Sequence, residues 1–263
     1  MSADANPKRM DEGVFGIYDR LDGVYWRHVA LREMLLEFFA LYRQPRPSWR
    51  VLEIGPGVGE TLKALATQFE AHGLDVSVAA LRYAQRRVKK NLVQGQGEQL
   101  PYADGVFDLV ASTDVVEHVE HPERVFAEVY RVLRPGGLWL TIVPAYQALW
   151  SERDVRLGHY KRYRVSELRP LFQATGFEVL RATYINLFYL PIFAAAVGVG
   201  RWLNHGHANL TFDFLEVPEW VNAVLTKILS LETAWLKRHD FPWGASTLCV
   251  GRRPLVTRRD ANS

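Results

Sequence analysis

Residues 51–60 read VLEIGPGVGE. A short apolar run ends in the acid Glu53, and Gly55, Gly57 and Gly59 follow at every second position. Glycine loses more conformational freedom on folding than any other residue, so such a cluster marks backbone that must turn tightly or approach something closely. Between a strand and a helix, a Gly-x-Gly-x-Gly turn exposes backbone N–H groups and leaves no Cβ in the way of a ligand. The chain is thereby constrained to a strand–loop–helix opening, with the loop at the carboxyl end of the strand.

The pattern around it extends that constraint. Upstream, residues 19–42 read as an amphipathic helix, broken by QPRP at 44–47. Downstream, helical spacing is expected over 60–71, 80–92, 122–133 and 166–174. Strands are expected at 50–54, 74–78, 106–112, 138–143, 177–184 and 245–250, and Pro135, Gly136 and Gly137 close the third of those helices. Strands alternating with helices imply βαβ units, right-handed crossovers and a doubly wound, mainly parallel α/β sheet. In such sheets ligands bind beyond the carboxyl ends of the strands, which is where the glycine loop falls.

Composition excludes few classes. At 48% hydrophobic and 23% charged, the 263 residues suit a globular chain. One cysteine, Cys249, rules out an intrachain disulfide and a Cys-rich metal site, and favours a reducing compartment. The first residues, MSADANPKRMDEG, hold no apolar signal region, so a cytoplasmic location is expected. Residues 182–200 carry no charge, but Asn186 and Pro191 interrupt them. With the amphipathic pattern at 214–236, they read as buried or interfacial helices rather than a span. The net charge of +3 is gathered at Arg82, Arg86, Arg87, Lys89 and Lys90, at Lys161, Arg162 and Arg164, and at Arg252, Arg253, Arg258 and Arg259. Each cluster reads as a solvated face or as a docking surface for an anion or a membrane.

Two ligands fit a glycine loop. A dinucleotide places its pyrophosphate on the helix N-terminus, but the G-x-G-x-x-G spacing fails at the third glycine. A nucleoside carrying a cationic amino-acid moiety needs an acid beside the loop, as Glu53 is, and a second acid for its ribose, as Asp75 is.

These residues resemble the class I methyltransferases that use S-adenosylmethionine. VLEIGPGVG at 51–59 looks like their first motif and GLDVS at 73–77 like their ribose-binding segment. GQGEQLPYADGVFDLVASTDVVEHV at 95–119 resembles their adenine segment, fourth strand and following turn. RVLRPGGLWLTIVP at 131–144 resembles their fifth strand, and PWGASTLCVGRRP at 242–254 their last. The resemblance implies a seven-stranded Rossmann-like methyltransferase fold. It implies that S-adenosyl-L-methionine is held by Glu53, Gly55, Gly57, Gly59, Asp75, Gln96, Gly97, Glu98, Thr113 and Asp114. Where the family has an acid after the first adenine-segment glycine, Gln96 stands here. No Asn-Pro-Pro-Tyr follows the fourth strand, which argues against methylation of DNA base amines.

The expected organisation is a helical lid at 1–45, a core at 46–186 and 240–256, and a helical insertion at 187–239 roofing the substrate. Proton removal from an acceptor calls for a base, and His118 and His159 are the candidates. Tyr25 and Trp26 in the lid, and Tyr146, Trp150, Lys161 and Arg162 after the fifth strand, are expected to contact the acceptor. The acids and histidines are not grouped at metal-ligand spacing along the chain, so no metal is expected. The expected acceptor is a small or lipid-like molecule, methylated at oxygen, nitrogen or carbon. A non-catalytic cofactor-binding subunit and an RNA methyltransferase are the alternatives. The apolar insertion leaves a peripheral membrane contact and a homodimer face open.

Overall fold

A computed structural model describes residues 14–44, 46–203 and 217–255. Two helices, α1 (Val14–Leu21) and α2 (Trp26–Tyr42), precede β1 (Arg50–Ile54) and α3 (Glu60–Ala66). Then come β2 (Glu70–Asp75), α4 (Val78–Arg87), β3 (Leu92–Gln94) and β4 (Phe107–Thr113). α5 (Pro122–Val132), β5 (Leu133–Pro144), α6 (Glu152–Leu157), α7 (Val165–Ala174) and β6 (Glu178–Ile185) follow. The chain closes with α8 (Tyr189–Leu203), α9 (Glu219–Leu236) and β7 (Ser246–Arg252).

The strands form one seven-stranded sheet in the order β3-β2-β1-β4-β5-β7-β6. All pairings are parallel except those of β7, which runs antiparallel between β5 and β6. The order reverses between β1 and β4, so a crevice opens at their carboxyl ends. Both sheet faces are covered, which is why the central strands read as unbroken apolar runs. On one face Met34, Leu35, Phe38 and Phe39 of α2 pack with Val51, Leu109 and Leu140. On the other, Trp139 lies 4.6 Å from both Phe126 of α5 and Phe172 of α7, centroid to centroid. Removing one such ring costs about 3–5 kcal/mol.

Several boundaries differ from the sequence expectation. The helix expected at 19–42 breaks at residues 22–25, where Gly23 lies, and becomes α1 and α2. The helix expected at 60–71 stops at Ala66, and the strand expected at 74–78 instead starts at Glu70. Parallel pairing of Arg50 with Glu70 through Ile54 with Leu74 holds that polar segment in the sheet. β3 is an unforeseen strand. β5 begins at Leu133, so Pro135, Gly136 and Gly137 lie inside it rather than ending the helix before it. Residues 214–216 of the second apolar helix, and Arg258 and Arg259 of the basic tail, lie outside the described residues.

The insertion and the N-terminal helices form one layer. Tyr25, Trp26 and Ala30 pack with Leu229 of α9 and with Tyr189 of α8. The Trp26 backbone N–H donates to Asn222 Oδ1 at 2.8 Å. Glu232 of α9 accepts from the backbone N–H groups of Leu187 and Phe188, at 3.2 and 2.9 Å, fastening the start of α8. No helix among the described residues is long and apolar enough to cross a membrane.

Candidate active site

A cavity of about 400 Å³ lies at the carboxyl ends of β1, β2 and β4. Gly55, Gly57, Asp75, Gln96, Gly97 and Glu98 line one side, and Asp114, Val115 and His118 the other. At Gly55, φ is +71° and a Cβ would stand 2.5 Å from Val115, so neither the turn nor the packing admits another residue. At Gly57, φ is +54° and a Cβ would meet nothing. The loop therefore bares its backbone on that side.

Asp75 is anchored by the loop it faces. Its Oδ2 accepts from Gly57 N–H at 3.2 Å and its Oδ1 from Ser77 N–H at 2.9 Å. Each oxygen keeps a lone pair for a further donor, such as a ribose hydroxyl. Burial raises its pKa, against the backbone hydrogen bonds that lower it. Glu53 is buried on the α2 side of β1, and its Oε2 has no hydrogen-bond partner. Burial, then the Asp22 and Asp75 charges, push its carboxyl up to about 8. An unpartnered buried acid beside an open glycine loop suits a cationic group, and the two acids with the loop fit S-adenosylmethionine. Thr113 ends β4, and Asp114 follows it at φ +53°. A non-glycine residue there costs on the order of 1–3 kcal/mol, which marks a functional turn. Asp114 is held 3.6 Å from Arg27 of α2, whose charge, with that of Arg153, lowers its pKa against burial.

Behind His118 stands a buried polar cluster. The His118 and His159 rings meet edge to face, 4.6 Å between centroids. His159 Nδ1 lies 2.7 Å from Asp154 Oδ1. Arg162 donates to both oxygens of Asp154, at 2.8 and 3.0 Å, and to the Ala145 carbonyl. Glu117, next to His118 in a short 3₁₀ turn, is fully buried, and neither carboxylate oxygen has a partner. Burial drives the Glu117 pKa well up and that of His118 down to about 4. The expectation that acids and histidines are ungrouped is thus corrected in three dimensions: ligand atoms of Glu117, His118 and His159 lie within 4.8 Å of one another.

The expected acceptor residues divide. A small second cavity, of about 30 Å³, is lined by Tyr25, Arg27, Arg153, Arg162, Tyr189 and Phe193 among others. The Arg27–Asp114 pair stands between it and the first cavity, Arg27 lining the one and Asp114 the other. Trp26 is buried against Leu229 and does not line either cavity. Arg162 is 1% exposed and bound to Asp154, so it is a buried ion-pair partner rather than an open docking cation. Lys161 is exposed and pairs with Glu167 at 2.8 Å. Tyr146, at φ +55°, stacks on Tyr184 at 5.1 Å. The Trp150 carbonyl accepts from Arg201 of α8. In the first basic cluster, Arg87 is tied to Glu60 and Asp19, both at 2.6 Å, and Arg86 to Asp19. Glu117, Arg153 and Phe15 were missed as site residues. The only signal was the acid beside His118 in VVEH.

Residues 52–141 match the family model for a methyltransferase domain. A protein of Mycolicibacterium smegmatis described as a probable S-adenosylmethionine-dependent methyltransferase is 32% identical over 133 residues, covering 49% of this chain and 52% of that protein. The chloroplastic 2-methyl-6-phytyl-1,4-hydroquinone methyltransferase 1 of rice is 30% identical over 177 residues, covering 65% and 52%. The chain thus spans about half the length of these curated relatives. Haemonchus contortus phosphoethanolamine N-methyltransferase 2, solved with S-adenosyl-L-methionine, shares the fold at a TM-score of 0.55 and 18% identity, over 83% of this chain and 52% of that one. With the glycine loop, the two acids and the sheet order already in place, the chain is similar, over about half of its length, to S-adenosylmethionine-dependent methyltransferases, and it carries the fold of that group.

Proposed function

We propose that the protein transfers the methyl group of S-adenosylmethionine to a small, lipid-like acceptor. The observation that carries this reading is the cavity in which the glycine loop and Asp75 face Asp114 and His118. Glu53 sits toward the amino-acid end, Asp75 takes the ribose hydroxyls, and Gln96, Gly97 and Glu98 border the adenine. The bound cofactor supplies an electrophilic methyl on a sulfonium.

Direct displacement asks the protein for alignment and exclusion of water. Asp114 and His118 stand where the two cavities approach each other, so they border the path between methyl and acceptor. His159 stands behind His118 and positions it. Tyr25, Tyr189 and Phe193 give the acceptor side an aromatic lining. The exposed apolar side chains of α8 and α9, and likeness to a methyltransferase named for a phytyl hydroquinone, support an acceptor with an apolar tail.

Calorimetric titration with S-adenosylhomocysteine tests the foundation. Wild type should bind, and Asp75→Ala should bind about 10- to 100-fold more weakly, the worth of hydrogen bonds to a charged group. Absence of binding by wild type would sink the cofactor assignment. Binding without transfer of labelled methyl to a lipid extract would favour a non-catalytic partner subunit.

A further inference from the structure

We propose that Glu117, His118 and His159 form a binding site for one divalent transition-metal ion at the acceptor end of the cavity. Three features of the geometry support it. The ligand atoms lie within 4.8 Å of one another, close enough for small side-chain rotations to gather them on one ion. Two imidazoles and one carboxylate form a mixed nitrogen–oxygen set suited to zinc or another borderline divalent ion, not to calcium. And Glu117, fully buried, aims two carboxylate oxygens with no partner into the cluster. A buried acceptor left unmade is costly, and a cation is the partner that would satisfy it.

The surroundings hold the ligands as metal sites do. His159 Nδ1 is engaged by Asp154 at 2.7 Å, leaving Nε2 as the free ring nitrogen. Asp154 is in turn gripped by Arg162. His118 makes a hydrogen bond to the Leu157 backbone. Such partners select the tautomer and orient the ring. Three protein ligands leave coordination positions open, and His118 lines the large cavity, so an open position faces the acceptor. An ion there would lower the pKa of a bound acceptor hydroxyl, so that its proton passes to water in the open cavity, and would hold the resulting oxygen toward the methyl.

This deepens the methyl-transfer reading, but its test does not depend on it. Untagged full-length protein, stripped with chelator and dialysed, is titrated with Zn²⁺ alone and, separately, with Co²⁺ followed by visible absorption. One equivalent of Zn²⁺ should bind, and Co²⁺ should give ligand-field bands of a low-coordinate site. Glu117→Gln, which keeps side-chain shape, should weaken Zn²⁺ binding by at least about tenfold. His159→Ala should abolish the bands. Circular dichroism and S-adenosylhomocysteine binding report whether each variant is folded. No uptake by wild type, or uptake indifferent to Glu117→Gln, would overturn the site. If the cofactor fails to bind while the ion binds stoichiometrically, the methyl-transfer reading falls and the ion site stands.

Discussion

Glu53 is an acid kept beside other acids. It is buried at the end of β1, its Oε2 lacks a partner, and burial with the Asp22 and Asp75 charges raises its carboxyl to about 8. Its ordinary value in an unfolded chain is near 4.5, so between these limits the folded state holds a proton that the unfolded state does not. This contribution to stability is therefore full below the unfolded value and is lost as pH rises through the folded one. A cationic ligand reverses the balance by favouring the carboxylate, so binding at neutral pH should expel a proton. Titrating S-adenosylmethionine in phosphate and in Tris, whose ionisation enthalpies differ, should give different apparent enthalpies. Glu53→Gln should bring the two together. Equal enthalpies for wild type would mean that Glu53 never meets the cation. The places of Glu53 and Asp75 were legible from the sequence because each stands near the carboxyl end of its strand, β1 or β2, beside the glycine loop. That of Glu117 was not, because His159, which stands beside it, arrives from the segment that follows β5.

Element by element, the central sheet was the readable part. β1, β4 and the heart of β5 are covered on both faces and show it as apolar runs. β2 reads EAHGLD, polar and glycine-bearing, and is a strand only because β1 and β3 flank it. β3 is three residues long, too short for any period to show. α1 is the element on which a cofactor should have most effect. Its Phe15 packs on Val58 of the glycine loop and Ala80 of α4, and lines the large cavity. Asp19, near its end, binds Arg87 at 2.6 Å. A ligand that binds only the closed arrangement stabilises it by mass action, about 2.7 kcal/mol at a hundred times Kd. Amide exchange over Val14–Leu21 should therefore slow by up to about a hundredfold when S-adenosylhomocysteine is added. Exchange that stays unchanged there, while the glycine loop is protected, would make α1 a packing helix and not a lid.

At the scale of the molecule, one region stays apolar and bare. Trp220, Val224, Leu231 and Trp235 recur at helical spacing along α9, and all are exposed, Trp220 at 72%. Ile192, Val199 and Trp202 do the same along α8, with Phe188 just before it, and Trp202 reaches 80% exposure. The opposite sides of these helices are engaged: α9 buries Leu229 against Tyr25, Trp26 and Ala30, and Tyr189 packs there too. Soluble monomers rarely expose so many large apolar side chains together, and tryptophan is favoured where hydrocarbon meets water. No helix among the described residues is long and apolar enough to span a membrane, and these two, placed beside a pocket proposed for a lipid-like acceptor, suit insertion to interfacial depth. The protein should co-sediment with phosphatidylcholine vesicles, and its tryptophan emission should shift to the blue. Binding should persist at high salt, because apolar insertion is not screened as surface charge is. Full burial of a large apolar side chain is worth about 1.5–3 kcal/mol, so Trp220→Ala with Trp235→Ala should weaken partition by at least about tenfold. If the protein instead sediments as a dimer that ignores vesicles, and the double variant is a monomer, the bare stripes are a subunit interface. The acceptor would then have to reach the pocket from solution.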